Sequence, residues 1–464
     1  RDKLEPIGKL DVLDSVGDEA LEYFAGFEPD ELTVDVALKN AIALRQLGEV
    51  EVAKSRYPNA LQALGQAEVI LAGLEVENPS SVDVGEQRYL VEYWIGLVHY
   101  ERSQWDSARA RWQHYKQIAK TTYDASGEQA HLIEYLYSQQ NLGVLELSAG
   151  NLDVAGQYLA DALRELDTGN YYPVGSVSYH DFRSTLLSWS GEVAWTRGKL
   201  ASALNLYQQE YEAIAKVRET DDAKLYEELA LQALTRVAMT QLLMGRVSDA
   251  GKSYRKVYLA SRQLVEFDGE NAYWLRLLTS AGLGYSQALH AEGELAQANA
   301  INQQMEVQAQ RLLSINPGSV KNAEQYVQIQ LQTAILALCG SDLDSAMNGI
   351  EAAQAVIGKF DDPESLEELF HVSVLSELLS ADVADFLEEK ERSHRHVENA
   401  RRLLRQYDQG LDPVDRYLVA RLTLGEDPIS RPVDEDLYNE MEAETFSVDP
   451  SIRHLLAGGD WGSH

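Results

Sequence analysis

Cysteine is nearly missing from this chain of 464 residues: Cys339 stands alone. One thiol excludes an intrachain disulfide and a thiolate metal cluster. Its setting, AILALCG, is apolar, and there a free cysteine serves as a small core side chain. The scarcity fits the cytosol and a cysteine-poor periplasm alike. Positive charge is also scarce. Forty Lys and Arg face 74 Asp and Glu, a net charge of −34. That field repels nucleic acid and anionic lipid surfaces, and leaves a basic partner or plain solubility. No apolar run nears the roughly 18 residues that span a bilayer, so no direct membrane insertion of this fragment is expected. The opening RDKLEPIGKL lacks a signal peptide's apolar stretch. A start at Arg1 without Met reads as a fragment, processed or cut.

Motifs for chemistry are missing too. Neither the phosphate-cradling Gly-x-x-x-x-Gly-Lys-Ser/Thr nor Gly-x-Gly-x-x-Gly occurs, and there is no His-Glu-x-x-His. No serine sits in a Gly-x-Ser-x-Gly elbow. His394 and His396, two apart on a helix, point to different faces and cannot share a ligand. The acidic stretch DDPESLEE at 361–368 reads as a helix start, where carboxylates meet the positive end of the helix dipole. No metal, cofactor or catalytic residue is expected.

What is present is a repeat. A small residue is followed seven positions on by Gly or Ser, and five further on by Ala. The copies are Gly48, Ser55, Ala60; Gly96, Ser103, Ala108; Gly143, Gly150, Ala155; Gly191, Gly198, Ala203; Ala238, Gly245, Ala250; Ser286, Gly293, Ala298; and Ala334, Ser341, Ala346. The last alanines are 48, 47, 48, 47, 48 and 48 residues apart. The two small residues let paired helices approach closely. The Gly or Ser between them ends the first helix, a place suited to a left-handed residue. An apolar residue two positions later (Tyr57, Trp105, Leu152, Leu200, Val247, Leu295, Leu343) is expected to plug the corner of the hairpin. Ala155, Leu159 and Ala162 then share one helical face.

LRQLGEVEVAKSRYPNALQALGQA and QNLGVLELSAGNLDVAGQYLADAL resemble the tetratricopeptide repeat over residues 33 to 360. The family period is about 34 residues; the extra residues here predict both helices longer by more than a turn, as in the long-period repeats of large bacterial signalling proteins. The resemblance implies an all-α, right-handed α-solenoid. Its parts would be a lead helix at 1–29, seven hairpins over 30–360, a degenerate capping hairpin at 361–410, and a further helix with an acidic tail at 411–464. The opening RDKLEPIGKLDVLDSVGDEALEYF is similar to segments that lead into the repeat arrays of bacterial multidomain signalling proteins. That likeness implies an upstream effector part, such as a kinase or a Toll/interleukin-receptor-like domain.

In the tetratricopeptide family the first helices line a groove that holds a peptide or protein. Carried over, that implies partner contacts at Tyr93, Leu97 and Tyr100; at Gln140, Val144 and Leu147; at Glu192 and Trp195; at Met239 and Leu242; and at Gln287 and His290. The competing reading of these positions is that long helices bury them against one another. Some members clamp a peptide's C-terminal carboxylate with Lys and Asn, but here Arg45 and Glu49 stand in those places, which disfavours a chaperone-tail receptor. The function so implied is a protein-binding scaffold or sensor arm, not an enzyme. The alternatives are a small-ligand-binding or catalytic all-helical domain with a pocket inside the superhelix, and a self-assembly module.

Overall fold

A computed structural model of the chain describes residues 33–168, 171–217 and 223–406. The lead helix expected at 1–29 and the helix and acidic tail expected at 411–464 lie outside the described residues. The regular elements among the described residues are α-helices. They fall into two compact units that divide between Tyr179 and His180.

The first unit contains α1 (Val34–Ala53), α2 (Tyr57–Glu77), α3 (Val82–Glu101), α4 (Trp105–Ser126), α5 (Gln129–Ser148) and α6 (Leu152–Thr168). The division falls in the first turn of α7 (Val177–Thr196). The second unit continues with α8 (Leu200–Val217), α9 (Ala223–Leu243), α10 (Val247–Phe267), α11 (Ala272–Ala291) and α12 (Leu295–Ile315). It ends with α13 (Val320–Cys339), α14 (Leu343–Ile357), the short α15 (Pro363–Glu368), α16 (Phe370–Phe386) and α17 (Lys390–Gln406). Most of the long helices have 20 to 22 residues, which accounts for the long period.

Each corner is built the same way. Ser55, Ser103, Gly150, Gly198, Gly245, Gly293 and Ser341 all have positive φ, between 53° and 82°. The next residue's N–H closes on a carbonyl five back: Arg56 on Glu51, Gln104 on His99, Asn151 on Glu146, and so on through Asp342 on Ala337. This is the Schellman closure of a helix end. Glu388 (φ 59°) and the Glu389 N–H on the Ala384 carbonyl repeat it at the corner between α16 and α17. The last hairpin therefore keeps the corner geometry without the small residue.

The alanines after the corners, from Ala60 to Ala346, are fully buried. The small residue of the first helix meets a large side chain sixteen positions later on the second helix. Those pairs are Gly48 with Leu64, Gly96 with Trp112, Gly143 with Leu159 and Gly191 with Tyr207. In the sixth copy Ser286 instead donates its hydroxyl to the Ala298 carbonyl at 2.9 Å. The fold is thus the tetratricopeptide-like helical repeat.

Only four residues separate α2, which runs to Glu77, from α3, which starts at Val82 with the Ser81 hydroxyl accepting from the Val84 N–H. One detail differs from the sequence expectation. The apolar residue after each corner is the first residue of the second helix, and only some of these plug the corner: Leu200 is 1% exposed but Leu295 is 39% exposed.

Candidate functional site

Within each unit, first helices of successive hairpins pack side by side: α1 on α3 in the first unit, and α9 on α11, α11 on α13 and α13 on α16 in the second. The faces these helices share form the candidate site.

In the first unit that face carries aromatic rings. Tyr93 and Tyr100 of α3 both stack on Trp112 of α4, with centroids 6.5 Å and 5.5 Å away. The Trp112 indole N–H donates to the Tyr93 carbonyl at 3.1 Å, which fixes the ring between them. Leu97 packs half-buried against the same cluster. The Tyr100 hydroxyl reaches the Ser148 hydroxyl of α5 at 2.9 Å. On α5, Gln140, Val144 and Leu147 are half-buried, and the Gln140 side-chain oxygen is buried without a hydrogen-bond partner. Tyr137 stands 37% exposed one turn earlier. Arg45 of α1 pairs with Glu49 and donates to Gln87 of α3 at 2.9 Å, so the family's clamp positions are engaged with each other.

In the second unit the face is polar. Asp181, Glu228, Arg276, Glu324 and His371 lie 47, 48, 48 and 47 residues apart, in register with the repeat. Each of the first four is the tenth residue before the small position of its own first helix. The Trp274 indole of α11 donates to Glu228 of α9 at 2.7 Å, and Gln232 of α9 donates to the Tyr273 hydroxyl of α11. Arg276 donates to Asn322 of α13 at 3.1 Å. His371 Nε2 of α16 lies 3.3 Å from Glu324 Oε1 and 3.2 Å from Gln328 Nε2 of α13. Burial pushes the Asp181 carboxyl above its ordinary range. Burial and the neighbouring Glu368 push Glu324 up to about 7.

A charge pair with a buried carboxylate links the first helix α9 to the second helix before it. Arg236 of α9 bridges Glu210 of α8 and sits over the Tyr207 ring, 5.7 Å from its centroid. Burial raises the proton affinity of Glu210, and the Arg236 guanidinium holds it back. The Tyr207 hydroxyl donates to Glu192 at 3.1 Å, while burial and that carboxylate push the phenol well above its ordinary value.

The positions carried over from the family divide accordingly. Tyr93, Leu97 and Tyr100 come together on one aromatic bed, and Gln140 lies on the next first helix. Glu192, Met239 and Gln287 are half-buried. Trp195 and His290 are each 6% exposed and belong to the packing. His290 Nε2 lies 3.3 Å from Cys339 Sγ, whose thiol burial pushes up, the opposite of an activated nucleophile. The charged column from Asp181 to His371 lies outside the carried-over set. Its signal was in the sequence: ionisable residues recurring at the repeat interval within helices otherwise rich in apolar side chains.

Among the described residues, no three His, Cys, Asp or Glu are grouped to hold a metal ion, and no helix is long and apolar enough to cross a membrane.

No family model and no curated protein matches the chain. Solved structures do. The chain is similar to the apo form of RapI, with a TM-score of 0.52 and 12% identity over 90% of this chain and 99% of that one. It is similar to the apo form of the quorum sensor NprR from B. thuringiensis, at 0.50 and 14% over 76% and 84% of the two chains. Aspartyl phosphate phosphatase F from Bacillus subtilis scores 0.50 with 11% identity, over 87% and 91%. At such identities the likeness establishes the fold. The names of these neighbours span a sensor and a phosphatase, so the fold by itself does not select a chemistry.

Proposed function

We propose that this chain is a scaffold or sensor arm that holds a peptide or protein segment along its first-helix faces. The observation that carries the reading is the register of polar and aromatic groups on those helices. Glu228, Arg276, Glu324 and His371 recur once per repeat, at the interval a partner crossing successive helices would sample. In the first unit, taken by itself, Tyr93 and Tyr100 present large rings held in place by Trp112. Rings of this kind supply contact area at low entropic cost. The acidic excess of the chain favours a partner segment with basic residues over one rich in acids. The sensor aspect of the reading draws support from the fold shared with a quorum sensor. An upstream effector part, implied by the opening segment, would make the arm the input of a signalling protein.

Position-specific photo-crosslinking in cells tests the proposal. A crosslinker at Ser280, on the first helix α11, is expected to capture one discrete protein or peptide. The same crosslinker at Asn205 or Gln303, exposed on second helices, is expected to capture none. Capture from the second helices alone would overturn it. Capture from neither, together with turnover of a small substrate, would favour a ligand-binding or catalytic domain.

A further inference from the structure

The joint between the seventh hairpin and the last one is built around an ionisable carboxyl group. Glu324 of α13 lies half-buried in it. His371 Nε2 of α16 touches Glu324 Oε1 at 3.3 Å, and the Gln328 amide donates to the same oxygen at 3.1 Å while also meeting His371 at 3.2 Å. The three side chains form a triangle that ties α13 to α16. Behind it, Leu369, Val372, Leu379 and Val383 share one apolar core with Val327, Leu331 and Ile335.

The surroundings decide what ionisation does there. Glu368 on α15 adds a second negative charge, and Lys321, one turn before Glu324 on α13, opposes it. Arg276 on α11 is committed to Asn322, and Glu306 on α12 accepts from Thr333. The acids of α14, Asp344 and Glu351, are exposed. His371 is the titratable group facing Glu324 from α16. A negative Glu324 therefore meets desolvation and a like charge, with one lysine and one imidazole to offset them.

We propose that this joint is a pH-responsive latch, closed while Glu324 carries a proton and loosened when that proton leaves. The inference rests on the packing of α13, α15 and α16 and needs no assumption about what the first-helix face binds. The sign follows from linkage: a carboxyl group that holds its proton more tightly when folded stabilises the fold at low pH and loses that contribution as pH rises. For Glu324 the window opens at its ordinary value of 4.5 and closes at about 7, inside the range a cell can reach.

Hydrogen exchange on the whole chain, corrected for intrinsic rates and referred to α5, tests it. Protection of α16 and α17 is expected to fall at least about threefold between about pH 6 and about pH 8, reporting local opening. Glu324→Gln, close in shape and unable to ionise, should keep the low-pH protection at both values. Glu368→Gln should move the midpoint down by about half a pH unit, because it removes the like charge. Wild-type protection that stays flat, a Glu324→Gln variant that loses protection like the wild type, or a midpoint unmoved by Glu368→Gln would each overturn the latch.

Discussion

Gly191 on α7 faces the ring of Tyr207 on α8 with no room for a Cβ between them. The same relation holds between Gly48 and Leu64, Gly96 and Trp112, and Gly143 and Leu159. A first helix without a side chain at this point accepts a knob from the second. That single allowance sets how closely the two helices of a hairpin approach.

Gly191→Ala should therefore destabilise the chain although alanine is the better helix former. Forcing a methyl group against the buried Tyr207 ring costs about 1–3 kcal/mol, since the ring cannot leave its place without breaking its bond to Glu192. Gly65 of α2 is the control, because nothing lies within 4 Å of the Cβ it lacks. Gly65→Ala is expected to stabilise by about 0.5–1 kcal/mol through helix propensity alone. Urea unfolding followed by circular dichroism separates the two signs.

At the last corner the chain places Glu388 in the left-handed conformation that glycine fills in four of the other corners. A side chain there strains the backbone by about 1 kcal/mol. Glu388→Gly should recover most of that, raising the urea midpoint without changing the slope. Glu388→Val should lower it, because a β-branched residue tolerates the conformation least.

Much of this architecture was readable from spacing. Ser55 and Ser103 were identifiable as helix ends because they hold the place in their repeats that Gly150 and Gly198 hold in theirs. Ala155 and Ala203 were identifiable as contact points because only a small residue recurs there. Glu388 escaped because its backbone follows the seven earlier corners while its side chain does not. The groove was harder. The family's positions lie near the corner, and with helices of about twenty residues the inner turns of that end are covered, which buries Trp195 and His290. The charged column from Asp181 to His371 starts nearly three turns earlier on each helix. In a chain with 74 acidic residues, a carboxylate on a helix reads as solvated surface. Only the neighbouring first helix, invisible in a local pattern, shows that Glu324 is drawn partly out of water.

Arg276 offers a direct test of the proposed face. It holds Asn322 of the next first helix at 3.1 Å and stands among the carboxylates of the column. Arg276→Glu should leave the far-ultraviolet spectrum unchanged and strengthen capture of the basic partner at Ser280 by roughly threefold or more, because it replaces a charge of the partner's own sign with the opposite one. The same reversal at Arg262, exposed on the second helix α10, should leave capture intact.

The Arg236–Glu210 pair turns on pH. Arg236→Met keeps the bulk of the side chain and removes its charge, leaving the Glu210 carboxylate buried with its main counter-ion gone. Breaking a buried pair from one side costs about 3–5 kcal/mol where the orphaned charge persists. Glu210 already has a raised proton affinity beside Arg236, and without it the group holds its proton still more tightly. Protonation then relieves the penalty, so the variant should lose most stability above neutral pH and regain part of it as pH falls toward about 5. The sign follows from linkage: the folded variant binds more protons than the unfolded chain, so its unfolding free energy declines as pH rises. Urea midpoints at about pH 5.5 and about pH 8 decide the matter, the window being that of a carboxyl group shifted upward by burial. A deficit of equal size at both would mean that Arg236 contributes through its contact with the Tyr207 ring and not through Glu210.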